Sequence, residues 1–400
     1  MARADHRRLL GPARESLGPG GHCRPIVVGG IAEILGNGRI ERHGRVLWSP
    51  APGSAVETGA RGLSFGVILG LTESSGAPAC LARLAHVHEP VRTCNWDAII
   101  HMSGFDEAAY IETVKRSFPP RLRQFLNIDC PIKIVDIGAN PIDGPAPYAP
   151  LLAGGQTTVV GFEPNLEALA KLNQVKGPGE TYLPHAVADG QRHTLHHCAM
   201  PGLTSLLEPN PAIFSLFSQF TAWSKVTRRE EVDTVRLDDV NETAGLDLLK
   251  IDIQGGELMV FQNGLSRLQS GLVVHTEVEF LPQYHGQPLF SEIEMCLRAQ
   301  GYMIHKLEPL VTRDYAPILL GKDPYTGHSQ VFWADAIFIR DVTRLDLLTD
   351  DQILRMAVIV YDCYRSVDLA LLLLREYDRR TAKGYGDRLF QVLRPLVSNQ

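Results

Sequence analysis

The sequence predicts an α/β protein built on a doubly wound, mostly parallel sheet. From about residue 130 onward, short strand-like runs alternate with helix-like stretches, the pattern of repeated strand–helix units. The run Lys133-Ile134-Val135-Asp136-Ile137-Gly138-Ala139-Asn140 is apolar until it meets an Asp, then a Gly, as a buried parallel strand ending in a tight turn would be. Two further runs end in an acidic residue, at Phe162-Glu163-Pro164 and Ala188-Asp189-Gly190. In open α/β sheets, ligands bind beyond the carboxyl ends of the strands.

In order, the predicted strands are 132–137, 157–162, 181–187, 246–253, 271–279, 302–306 and 331–340. Helices are predicted at 166–175, 256–263 and 290–300, with Gly301 as the stop of the last. Before them, 105–126 reads as helix, with Asp106 as its cap and Pro119-Pro120 interrupting it. The expected organisation is a mobile tail at 1–23, a small β-rich region at 24–104, the α/β domain at 105–344 and a helical extension at 345–400. In the β-rich region the candidate strands are 39–42 and 45–48 around His43-Gly44, then 63–71 and 80–88.

Composition narrows the function classes. With 400 residues the chain can bury a large core, and a net charge of −6 supplies no basic field for nucleic acid. The 7 Cys form no CxxC pair, which points to free thiols and a cytoplasmic location. No apolar run approaches the ~20 residues of a membrane span. The arginine-bearing first residues lack the apolar core of a signal peptide.

The turn after Ile137 has one Gly, Gly138, followed by Ala139, Asn140 and Pro141, so it is not the G-x-G-x-x-G of a dinucleotide site. Asp136 places negative charge there, which disfavours a diphosphate and suits a cationic ligand; S-adenosylmethionine (SAM), with an ammonium and a sulfonium, fits. Glu163, 27 residues after Asp136, can accept both hydroxyl protons of a ribose, or else be a charge at a helix N-terminus opened by Pro164. Asp189 can accept from the adenine amine, or be an ordinary Asp-Gly turn. Strand 246–253 carries Lys250 and Asp252 on one face, where they are a functional pair or a structural one. Strand 271–279 carries His275, Glu277 and Glu279 on one face, a site or a solvated edge. The apolar, aromatic segment 204–225 is expected to cover an acceptor pocket, the alternative being core packing. His193, His196 and His197, and likewise His86 and His88, lack metal-ligand spacing and read as structural or surface residues.

Taken together, VDIGAN (135–140), GFEPN (161–165), LDDV (237–240) and KIDIQGGE (250–257) resemble the FkbM-like class I SAM-dependent methyltransferases, over roughly residues 130–310. The resemblance implies a seven-stranded Rossmann-like sheet, SAM as donor, and a hydroxyl on a sugar, glycan or natural product as acceptor. It implies that Asp136, Gly138, Ala139 and Asn140 line the methionine end of SAM, Glu163 its ribose and Asp189 its adenine side, with Lys250, Asp252 and Glu257 in the charged strand-to-helix motif. Ile142, Gln254 and Gly256 depart from the family pattern, where Gly, Glu and Ala are common. Asp252, Glu277, Lys250 and His275 are the expected catalytic group. A variant places Mg²⁺ between Asp252 and Glu277. The expected partners are a small-molecule or glycan acceptor and a second copy of the chain. The rival expectation is a binding or scaffold protein that keeps the fold and not the reaction.

Overall fold

The computed structural model describes residues 118–140, 144–319 and 323–394, together with two short strands near the N-terminus. The chain divides into two units, Met1–Trp96 and Asp97–Gln400. In the first, β1 (Ile26–Val27) pairs antiparallel with β2 (Val46–Leu47). The other strands expected there, the tail, and the 105–117 part of the expected helix lie outside the described residues.

The second unit is organised by a seven-stranded sheet. Its strands are β3 (Ile132–Ile137), β4 (Thr157–Phe162), β5 (Glu180–Leu183), β9 (Leu248–Ile251), β10 (Val273–Glu279), β11 (Tyr302–Arg313) and β12 (Gln330–Arg340). Their spatial order is β11-β12-β10-β9-β3-β4-β5. All pairs are parallel except those of β12, which runs antiparallel to both β10 and β11. The chain steps outward from β3 to β5, then crosses back to place β9 on the other side of β3. The order therefore reverses between β3 and β9, and the crevice beyond their carboxyl ends is the expected ligand site.

Side-chain alternation divides the core in two. Ile132, Ile134, Leu248, Val273, Ile337 and Ile339 face three C-terminal helices: α9 (Asp350–Asp362), α10 (Val367–Thr381) and α11 (Tyr385–Leu393). Helix α9 is apolar on nearly every side, with Met356 to Tyr361 all fully buried, and a Thr349/Gln352 capping box starts it. On the opposite face, Val135, Ile137, Leu249, Ile251, Val274 and Val278 meet α6 (Glu257–Gln262), α7 (Leu265–Ser270) and α8 (Phe290–Ala299). Residues after 344 thus share one core with the sheet. Among the earlier helices, α1 is Leu122–Leu126, α2 is Ala149–Leu152 and α3 is Leu166–Val175; Asn165 caps α3 by accepting from the Glu167 and Ala168 N–H groups.

Two expectations are corrected. The strand expected at 181–187 is broken: β5 ends at Leu183, Pro184 follows, and β6 (Ala186–Ala188) joins a separate three-stranded sheet of order β6-β8-β7. Its other members, β7 (Arg192–Cys198) and β8 (Val226–Arg236), form a long antiparallel pair that periodicity does not reveal, because β8 is mostly charged and exposed. Cross-strand polar pairs hold it: Arg192 donates twice to Asp233, at 2.7 and 3.1 Å, and Thr194 donates to Glu231 at 2.6 Å. Segment 204–225, expected as a lid, builds a small aromatic core. Phe214 and Phe220, on the short helices α4 (Pro211–Phe214) and α5 (Phe220–Trp223), join Phe217, Tyr284 and Phe332, all buried.

Candidate functional site

At the sheet's reversal, register sets the side chains. Asp136 of β3 lies beside Lys250 of β9, and Lys250 beside His275 of β10. Two residues further along β10, Glu277 lies beside Asp335 of β12. Asp252 follows the end of β9. These residues border a cavity of about 570 Å³, within the ~300–1,000 Å³ of small-molecule sites. The cavity's β3 side is closed by Ala139, Asn140 and the Gly144–Pro147 stretch; its far side reaches Lys306, Glu308 and Trp333, with Tyr364 and Arg365 from the α9–α10 turn as an additional wall.

Gly138 makes the close approach of β3 and β9 feasible. Its φ is +82°, and a Cβ there would lie 2.1 Å from the Asp252 carbonyl oxygen. The Asp252 N–H donates to the Ile137 carbonyl at 3.0 Å, so the two strand ends are tied directly.

Asp136 is buried and engaged by the protein itself. Tyr148 donates its hydroxyl to Oδ2 at 2.6 Å, and Lys250 Nζ lies 3.4 Å from Oδ1 while donating to the Gly138 carbonyl at 3.1 Å. Burial pushes the Asp136 carboxyl above its ordinary pKa, with Lys250 and Tyr148 pulling back. Burial pulls Lys250 down, but Asp136 and Asp252 outweigh it and hold its ammonium above the ordinary value. The two are a neighbouring buried pair with one role in common: each offsets the other's loss of water.

Beside this pair stands a second one. The Gln254 amide Nε2 donates to Asp252 Oδ1 at 2.9 Å and to Glu277 Oε2 at 2.6 Å. Burial, then the charges of Asp252 and Glu279, push Glu277 well above the carboxylate range. His275 lies between two partners, with Nδ1 3.3 Å from the Tyr364 hydroxyl and Nε2 3.4 Å from Asp335 Oδ2. Asp252, Glu277, Lys250 and His275 are thus brought to one cavity wall.

Other expected site residues lie elsewhere. Glu163 is buried at the end of β4, where Oε1 accepts the Asn165 N–H at 2.7 Å; it does not line the cavity. Asp189 follows β6 and so does not stand at a carboxyl end of the seven-stranded sheet, as expected; its Oδ1 accepts the Gln191 N–H and lies 2.7 Å from His193 Nε2. Glu257 folds back on its own turn, accepting the Ile253 N–H at 2.9 Å, and burial raises its pKa to about 7. Glu279 is buried away from the cavity. Phe214, Phe217, Phe220 and Trp223 do not line it either, which removes the lid expectation. Among the described residues, no group of three or more His, Cys, Asp or Glu is arranged to hold a metal ion. The Mg²⁺ variant therefore finds no support, and the Gln254 amide already bridges the two carboxylates it needed.

Sequence reasoning missed Gln254 as a site residue, although its place between Asp252 and Gly255 was a signal. It also missed Asp335, Trp333, Tyr364 and Arg365, which come from β12 and the α9–α10 turn. Nothing local in those segments marks them, since only the sheet order and the C-terminal helices bring them to the cavity.

Residues 136–304 match the family model of the methyltransferase FkbM domain. No curated protein sequence matches at a significant level. Among solved structures, the chain is similar to a magnesium protoporphyrin IX methyltransferase from Synechocystis with bound SAM, at 8% identity over 62% of this chain and 92% of that one, TM-score 0.28. It is similar to a precorrin-6y C5,15-methyltransferase from Geobacter metallireducens, at 13% identity over 55% of this chain and 85% of that one, TM-score 0.28. A SAM-dependent methyltransferase from Aquifex aeolicus matches at 11% identity over 59% of this chain and 99% of that one, TM-score 0.24.

The sheet order is that of the class I methyltransferase fold, and the match over residues 136–304 points to SAM-dependent methyl transfer. Within that fold, residues 136–304, 169 of the chain's 400, match the methyltransferase FkbM domain. No helix among the described residues is long and apolar enough to cross a membrane.

Proposed function

We propose that the chain methylates a hydroxyl group of a sugar, a glycan or a natural product, using the wall formed by Asp252, Glu277, Lys250 and His275. The observation that carries this reading is the pair Asp252 and Glu277, joined by one amide on the wall of a cavity at the sheet's reversal.

SAM fits the residues present. The turn after β3 is closed to a side chain at Gly138, and the cavity holds carboxylates able to offset a sulfonium and an ammonium. Ala139 and Asn140 would hold its methionine end. Asp136 would act there with Lys250 as its counter-charge, whereas Glu163, outside the cavity and engaged by the Asn165 N–H, is not among the groups that would hold SAM. When bound, SAM supplies a methyl group activated by positive sulfur.

The chain's own residues supply position and a proton acceptor. A hydroxyl held against Asp252 gives its proton to the carboxylate as its oxygen bonds to the methyl carbon. The bound donor would supply the methyl carbon and keep the carbon–sulfur electrons on its leaving thioether, while Asp252 holds the proton. Glu277, held by the Gln254 amide, orients the acceptor, and His275 is steadied by Asp335 and Tyr364. The α9–α10 turn would bound the acceptor.

Calorimetry of the full chain with SAM tests the donor site, and mass spectrometry of what co-purifies addresses the acceptor. With an acceptor in hand, Asp252→Asn should lower turnover by about 10²–10⁴. Unchanged turnover removes Asp252 from the role. One observation favours a scaffold instead: the Tyr148 hydroxyl occupies Asp136. Failure to bind SAM would support that alternative.

A further inference from the structure

We propose that Gln254 is a positioning residue, whose amide clamps Asp252 and Glu277 into one fixed acid pair facing the cavity. The inference deepens the methyltransferase reading and relies on it only for what the pair does.

Three features carry it. First, Gln254 has φ +59°, the left-handed region that glycine occupies without strain. A turn alone would be better served by Gly, so the side chain is what the position retains. Second, every polar group of that residue's end is engaged. Nε2 gives its hydrogens to Asp252 and Glu277, Oε1 lies 3.3 Å from the hydroxyl of buried Tyr284, and the backbone carbonyl accepts the Ser205 hydroxyl at 2.7 Å. The two carboxyl acceptors set which way the amide faces, the Tyr284 hydroxyl lying nearer the Leu203 carbonyl, at 3.1 Å, than Oε1. Third, Asp252 and Glu277 border the cavity and Gln254 does not, so it acts through them.

The clamp answers an electrostatic problem. Glu277 is faced by Asp252 from the β9–α6 turn, Glu279 on its own strand, Glu257 on α6 and Asp335 on β12. Tyr284 is the neutral group beside it, and Lys250, paired with Asp136, also acts on Asp252. With so many acids converging, two carboxyl groups left free would rotate apart. An amide is the neutral side chain that can donate to both at once without adding charge.

The test is a pH titration of the full chain with ¹³C-labelled Glu and Asp carboxyls, read by NMR and assigned with Glu277→Gln and Asp252→Asn spectra. In Gln254→Gly, which keeps the turn's backbone unstrained, the Glu277 midpoint should rise by about one pH unit, because a donor to its ionised form is gone. Gln254→Glu should raise it at least as far, by adding an acid. Gln254→Gly that folds normally by circular dichroism and leaves the Glu277 midpoint in place overturns the proposal. If Gln254→Gly fails to fold, Gln254→Ala and Gln254→Glu decide it by the same readout. SAM calorimetry on the same samples separates the two readings: a shifted midpoint without SAM binding upholds the clamp and removes the methyltransferase function.

Discussion

Replacing Gly138 by Ala isolates the contact on which the reversal of the sheet rests. The substitution has two costs. The left-handed backbone penalises an L-residue by about 1–2 kcal/mol. The added Cβ would also lie 2.1 Å from the Asp252 carbonyl oxygen, where ordinary contact begins at 3.4 Å. That carbonyl must retreat by more than the ladder allows, straining or breaking the Asp252 N–H bond to Ile137, worth roughly 0.5–1.5 kcal/mol. Together these give a loss of about 1.5–3.5 kcal/mol, or roughly 3–14 °C in Tm for a large domain. Gly286 is the control: its φ is +73° with no atom within 4 Å of a built Cβ, so Gly286→Ala carries the backbone cost alone. Thermal unfolding of both full-length variants, followed by circular dichroism, reads the difference. If Gly138→Ala melts no lower than Gly286→Ala, the β3–β9 approach is not the tight junction described, and the turn after β3 has room for a side chain.

Tyr148→Phe should destabilise the protein by about 1.5–3 kcal/mol at neutral pH, the value of a hydrogen bond to a charged group. Because burial raises the Asp136 pKa in the folded state, the stability its protonated form contributes is lost as pH rises through that value; removing the hydroxyl raises it further. The deficit should therefore narrow on acidification, and denaturant unfolding at two pH values that showed a constant deficit would count against the pairing. Trp223→Ala should lower stability by about 1–3 kcal/mol, since the ring stacks on Tyr325 at 5.3 Å and meets Phe220 edge-on. SAM affinity by calorimetry should not change; a large loss would place that segment back over the cavity.

How much of this was legible from sequence depends on where the determining contacts lie. The strands of the parallel core were readable because burial on both faces writes itself as apolar runs, and β3, β4 and α3 fall at the expected bounds. Lys250, Asp252, His275 and Glu277 were readable because charge inside such runs is costly unless it serves something. The β7–β8 pair was hidden, because its stability comes from charged cross-strand partners rather than an apolar face. Asp189 was misplaced by one event, the break at Pro184, which sends the next strand to a different sheet. Tyr364 and Asp335 could not be read at all: each reaches the cavity from the far end of the chain, through long-range packing that no local pattern encodes.

The family match stops at residue 304, inside β11, yet the sheet is unfinished there. The strand that belongs between β10 and β11 is β12, and α9 to α11 follow it. During synthesis, β10 therefore leaves the ribosome with an open edge that stays bare until roughly fifty more residues have emerged. A chain cut before β12 would keep that edge unpaired, so the segment through Arg340 completes the sheet that the matched domain begins.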